Sequence, residues 1–259
     1  MHTIEFRYRQ VTRILFALLG GLLLLHLVVA YCHLVLHVRV EALTQLADFD
    51  LEANLPTFFN ALLFFLAGAL FALHGKAAPR QAAAGWYLLA GLFIFLGFDE
   101  GSQIHEKLMG FTARLLRSSG MDDGGSGWLF NAWVIPYVLA LLGLVIVLRR
   151  WLLTLERPML KGLLISGAVY VLGAAGCEMA AGRLVTSMPG RDAALYPWLP
   201  CNLYGDPAGC WLFMEPRYIL LYTMEELGEM IGLILCIGVL LRGIEAKGRT
   251  VVLGSLPDE

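Results

Sequence analysis

The chain reads as an all-α, polytopic membrane protein, with six transmembrane helices in one bundle and both termini cytoplasmic. Composition makes the first case: 58% of the 259 residues are hydrophobic, only 15% are charged, and the mean hydropathy is +0.69. A soluble domain carries about 25% charged residues. Six apolar stretches of the roughly 20 residues needed to cross a hydrocarbon core make the second. The third is the placement of basic residues, since alternate connecting segments hold 12 of the 19 lysines and arginines. Cytoplasmic loops carry that excess. The spans leave no room for a separate soluble domain, so residues 1–259 form a single integral membrane domain. The net charge of −2 and the lack of a basic stripe give no reason to expect nucleic acid.

Span one, near 14–36, follows Arg7, Arg9 and Arg13. At about 23 residues it exceeds a signal-peptide core, and no small-residue cleavage site follows, so it is expected to stay as a helix. Span two, near 56–74, is closed by Lys76 and Arg80, and span three, near 85–105, ends in Asp-Glu-Gly-Ser-Gln-Ile-His-Glu. Residues 107–117 mix apolar and basic groups and are expected to lie along the surface, with a Ser/Gly/Asp-rich link at 118–127. Span four, near 128–148, runs into Arg149, Arg150, Arg157 and Lys161. Span five, near 162–182, holds Gly173, Gly176, Ala180 and Gly182, and span six, near 218–241, holds Gly228 and Gly232 in a GxxxG arrangement. Small residues let membrane helices approach closely, so these faces are expected to point inward. The long loop 183–217 falls on the extracytoplasmic side and carries Cys201 and Cys210, a pairing expected to form a disulfide. Cys32, Cys177 and Cys236 lie in spans as small apolar residues. Trp86, Trp128, Trp151, Trp211 and Tyr218 sit near span ends, as an interfacial belt would.

Chemistry enters with seven carboxylates inside or at the rim of these spans: Asp99, Glu100, Glu106, Glu178, Glu225, Glu226 and Glu229. No lysine or arginine inside the spans offsets them. Each charge in a bilayer costs at least ~3 kcal/mol on insertion scales, and such groups mark functional sites. With a ~1.5 Å rise per residue, Asp99, Glu100, Glu178, Glu225, Glu226 and Glu229 all fall about 18–24 Å from the cytoplasmic edge. Three helices therefore place acids at one level, in the outer half of the membrane. Helical periodicity puts Asp99, Gln103 and Glu106 on one face, with His105 elsewhere, and aligns His26, His33 and His37 in a stripe ~40° wide.

Carboxylate and imidazole groups from facing helices are how bundles build dinuclear metal centres. Oxygen and nitrogen ligands without thiolate suit a divalent metal such as iron, manganese or zinc. The candidate ligands are Asp99, Glu100, Glu178, Glu225, Glu226 and Glu229, then His26, His105, Glu106, His33 and His37. The paired Glu-x-x-His signature of soluble di-metal bundles is absent, as are a phosphate-binding Gly loop, GxSxG and HExxH. The expected function is a dinuclear metalloenzyme acting by oxidation or hydrolysis on a lipid or other hydrophobic molecule that enters from the outer leaflet. Two alternatives stay open. One is a proton- or cation-coupled transporter or channel using the acids as a relay. The other is a non-catalytic subunit whose acids meet a membrane-protein partner's basic helix.

The segment Phe98-Asp99-Glu100-Gly101-Ser102-Gln103-Ile104-His105-Glu106 resembles a stretch of uncharacterised bacterial multipass membrane proteins. The run Glu225-Glu226-Leu227-Gly228-Glu229-Met230 resembles their late acidic helix. The likeness covers about fifteen residues; it implies a multi-helix protein of the bacterial inner membrane and no activity.

Overall fold

A computed structural model describes residues 4–104, 118, 128, 134–187, 215–248 and 251–253. Its long helices are α1 (Tyr8–Leu34), α3 (Leu55–Ala77), α4 (Arg80–Ser102), α5 (Val134–Leu152), a broken helix running Arg157–Ser187, and α8 (Pro216–Glu245). All six are long and apolar enough to cross a membrane. The broken helix consists of α6 (Arg157–Val171), a π-helical turn (Leu172–Cys177) and α7 (Glu178–Ser187). A short helix, α2 (Glu41–Ala47), was not expected, and neither was a pair of three-residue strands, β1 (Ile4–Phe6) and β2 (Val251–Leu253). The strands pair antiparallel with Ile4 opposite Leu253, and the Tyr8 backbone N–H donates to Glu245 Oε1 at 2.6 Å. Both chain ends thus sit at one end of the bundle, and α2 sits at the other.

Local chemistry explains where the helices begin and stop. Asn54 caps α3, accepting the Thr57 N–H at 3.1 Å, with Pro56 in the first turn, where its missing donor is harmless. Glu215 caps α8 in the same way, ahead of Pro216. Helix α4 stops at Ser102 because Gln103 turns left-handed, at φ 54°. This ends the face on which Asp99, Gln103 and Glu106 were expected to align. Likewise α1 ends at Leu34 and His37 lies beyond it at φ 53°, so His37 leaves the histidine stripe.

Helices α3 and α8 are the most buried, and their side chains Leu63, Phe64, Phe71, Met230, Leu233, Ile234, Ile237 and Leu240 form the centre of the core. The closest approach is between the π-helical turn and α8. A Cβ on Gly173 would lie 2.8 Å from the Gly228 Cα, and one on Gly232 would meet Tyr170 and the Ser166 carbonyl. Only hydrogen fits there, which is why the GxxxG face of α8 is turned inward. Helix α5 is the least buried of the six. It is fastened near its ends. Trp151 Nε1 donates to the Ala82 carbonyl at 2.9 Å and its ring meets Trp86 edge-on, while Tyr137 donates to Asp99 at 2.7 Å.

Three of the expected belt aromatics therefore belong to the interior. Trp86 is buried and stacked on His74, Trp151 locks against Gly85, and Tyr218 donates to Asp50. A polar partner or a glycine notch drew each of them inward. Trp128 is exposed. Trp211, the amphipathic segment 107–117 and the cysteines Cys201 and Cys210 lie outside the described residues. Cys32, Cys177 and Cys236 are free thiols.

The Gly173–Gly228 crossing can be tested directly. Gly228→Val should lower stability by about 1–3 kcal/mol or more, as overpacking does. Gly91→Ala, with nothing within 4 Å of the added carbon, should leave it unchanged or raised. Thermal unfolding in detergent reads both, and equal effects would dismiss the crossing as a constraint.

Candidate functional site

Towards the α2 end, α4, α5, the broken helix and α8 stand around a cavity of about 1240 Å³. Six acids predicted to share one level all line it: Asp99 and Glu100 on α4, Glu178 at the start of α7, and Glu225, Glu226 and Glu229 on α8. The π-helical turn matters here. It widens the helix by one residue just before Glu178, a device often found at functional sites. The close crossing at Gly173 brings that residue against α8, and Glu178 hydrogen-bonds Glu225. A bond between two carboxyl groups needs one proton between them.

Two more acids, Asp50 and Glu52, reach the chamber from the loop between α2 and α3. The sequence reading missed both, because loop acids carry no periodic signal. What folds the loop inward is His26. Its Nδ1 accepts the Phe49 backbone N–H at 3.2 Å and lies 3.6 Å from Asp48, and its ring stacks on Phe49 at 4.3 Å. Since Nδ1 accepts, the proton sits on Nε2 and is donated to Thr223 at 2.9 Å; Thr223 in turn donates to the Ile219 carbonyl. In this arrangement both ring nitrogens are engaged in hydrogen bonds, and His26 anchors the loop. His33 is buried against Thr44 at 3.2 Å, and neither it nor His37 lines the chamber. His105 and Glu106 lie outside the described residues.

Four tyrosines, Tyr137, Tyr170, Tyr218 and Tyr222, stand among the acids, and no lysine or arginine lines the chamber among the described residues. Tyr137 donates to Asp99, and Tyr218 donates to Asp50 at 3.1 Å. Behind the acids, Asn60 on α3 is fully buried; its Nδ2 donates to Glu229 at 2.9 Å and to Glu100 at 3.1 Å. Its Oδ1 has no hydrogen-bond partner among the described residues. An orphaned buried acceptor costs about 1–3 kcal/mol. Among the described residues no three His, Cys, Asp or Glu side chains stand at metal-holding distance from one another. The acids share a wall without converging on a point.

Away from the acids the cavity turns apolar, lined by Leu89, Leu92, Phe93 and Leu96 of α4, Leu141, Leu144 and Leu148 of α5, and Leu163 of α6. Phe95, Leu142, Val145 and Leu164 line it and are exposed. The cavity is therefore open along α5, a helix tied by Tyr137 and Trp151 near its ends.

Residues 14–242 match a family described as Domain of unknown function (DUF8692). The chain belongs to that family. The matched region of this DUF8692 chain contains every residue that lines the chamber, from Phe49 to Cys236. No curated protein and no solved structure matches the chain.

The loop acids make stability depend on pH. Burial and the neighbouring Asp48 charge push the Asp50 carboxyl well above its ordinary 3.8, against the opposing Tyr218 bond. Burial pushes Asp48 up as well. An acid raised in the folded state contributes stability that is complete below its unfolded value and is lost as pH rises toward the folded one. Asp50→Asn removes that loss. Between about pH 4 and pH 7, the Tm of the chelator-treated DUF8692 variant should fall less than that of the unaltered protein; parallel curves would refute the assignment.

Proposed function

We propose that this chain is a six-span protein of the bacterial inner membrane, with both termini cytoplasmic and the acidic chamber in the outer half. In this reading it is a metal-dependent enzyme that hydrolyses a lipid-like molecule near its polar head. The outward apolar side chains of α5 and the broken helix, among them Leu139, Ile146, Val147, Ile165 and Leu172, support a lipid-facing surface. The pairing of the chain ends supports an even number of crossings. The basic segments described above orient the bundle, and loop 183–217, with its expected Cys201–Cys210 disulfide, then falls outside.

One observation carries the functional reading: a single chamber joins a carboxylate-lined end to an apolar one that opens sideways. The apolar part suits an acyl chain arriving from the bilayer. A divalent ion bound among the acids would supply positive charge while leaving the carboxylates ionised as ligands. With His26 engaged elsewhere, the acids and Asn60 among the described residues offer oxygens, which suit magnesium or manganese better than zinc. Such an ion polarises an ester or phosphate oxygen and lowers the pKa of bound water. Hydrolysis needs only that water, whereas oxidation would also need oxygen and electrons.

The Glu178–Glu225 hydrogen bond favours a second reading, a proton relay. Against it, the described residues that line the chamber toward the other end are mainly leucine and phenylalanine.

The decisive experiment purifies the protein in mild detergent without chelator and measures bound metals by mass spectrometry, beside a Glu225→Ala/Glu226→Ala variant. About one to two equivalents of divalent metal, lost in the variant, are expected. Metal-free protein that conducts protons into liposomes would establish the relay instead. Metal-free, flux-free protein co-purifying with another membrane chain would make it a subunit. Ala168→Trp, which fills the apolar part, should reduce co-purified lipid while leaving metal content intact.

A further inference from the structure

We infer that Asn60 is itself a cation ligand, its side-chain oxygen completing with Glu100 and Glu229 an all-oxygen site for a small divalent ion. This rests on the metal-dependent reading above and adds to it a residue that no carboxylate or histidine pattern would single out. Asn60 is fully buried, and its amide is directed between two acids carried by different helices, α4 and α8. As placed, the NH₂ group serves both carboxylates and the oxygen is stranded. Turning the amide by 180° exchanges nitrogen and oxygen in nearly the same volume. The oxygen then stands where the nitrogen is now, 3.1 Å from Glu100 Oε1 and 2.9 Å from Glu229 Oε2.

Those separations fit a particular ion. Around magnesium, with metal–oxygen bonds of 2.0–2.1 Å in an octahedron, neighbouring ligand oxygens lie about 2.8–3.0 Å apart. Around calcium, at 2.3–2.6 Å, right-angled neighbours would lie roughly 3.3–3.7 Å apart. The two separations from Asn60 therefore suit neighbouring positions around a small ion better than around calcium, with the other positions left to water or substrate. Two acids and an amide also reconcile a metal with the absence of any three-membered His, Cys, Asp or Glu group among the described residues.

The competing role is purely structural, in which Asn60 is a donor that quiets two acids. The two roles use opposite ends of the amide, so substitution separates them. Asn60→Asp keeps an oxygen and removes the donor, whereas Asn60→Leu removes both. Mn²⁺ is titrated into the purified full-length protein and followed by electron paramagnetic resonance, with folding checked by metal-free thermal unfolding. The expected result is that Asn60→Asp binds Mn²⁺ at least as tightly as the unaltered protein. Asn60→Leu should bind it roughly tenfold or more weakly, a loss that even an outer-shell partner can cause. Unchanged affinity in Asn60→Leu, or an Asn60→Asp variant as weak as Asn60→Leu, overturns the inference and leaves the metal-dependent reading standing. No Mn²⁺ binding by the unaltered protein overturns both. Should a variant fail to fold, the unaltered chain labelled with ¹³C-asparagine decides: ligation shifts an asparagine carbonyl band in the infrared on adding Mn²⁺, and an unmoved spectrum overturns the inference.

Discussion

Carboxylates gathered in an enclosure repel one another and resist ionisation unless protons or cations join them. Eight of them line one chamber here, without a basic side chain among the described lining residues. Helices bearing such charges would separate if nothing else held them. Among the described residues, backbone contact and apolar packing do the holding. Gly173 lies against Gly228, Gly232 against Tyr170, and the fully buried Phe64, Met230 and Leu233 join α3 to α8 behind the acids. Because these contacts are indifferent to charge, the chamber can keep its acids together whether or not they are neutralised.

The same division of labour explains why the bundle is unevenly built. Helices α3 and α8 are packed as a core, and they position Asn60, Glu225, Glu226 and Glu229. Helix α5 is mostly exposed and is tied by Trp151 at one end and Tyr137 near the other. Between the ties its side chains face the cavity on one side and the exterior on the other. A wall of that kind suits an apolar molecule moving in from the side, and the rigid half keeps the acid geometry undisturbed while it does so.

Hydropathy and basic-residue placement made the six long helices legible, and the helical rise made the shared level of the acids legible from Asp99 through Glu229. Both are properties of one chain segment at a time. What depended on contact between segments was not visible. Asp50 and Glu52 enter because His26 captures the Phe49 N–H, an interaction across 23 residues of chain. The histidine stripe assumed a continuous helix, and His37 lies past its end. Trp86 and Trp151 read as belt residues because a tryptophan near a span end usually is one, and the notch at Gly85 that takes the Trp151 ring has no signature. Asn60 is one polar residue in an apolar span, and its position between Glu100 and Glu229 belongs to three helices at once. The small residues of the fifth and sixth spans were informative because steric need is itself local: a helix that must touch another backbone has to carry glycine.

The choice of hydrogen-bond donors around the acids says what the charge is kept for. A lysine or arginine would have neutralised a carboxylate permanently and closed the site to cations. Instead the donors to the lining acids among the described residues include Thr57, Asn60, Tyr137 and Tyr218, all neutral. Neutral donors lower the cost of a buried carboxylate without cancelling its charge, so the chamber's negative potential stays available to an incoming cation. An interior meant only to bury acids would gain more from a salt bridge. A metal, by contrast, must compete with whatever already holds the carboxylates, and a phenol or amide yields its place more readily than an ammonium group does. On the proposed metal-dependent reading, neutral donors of this kind suit an exchangeable cation.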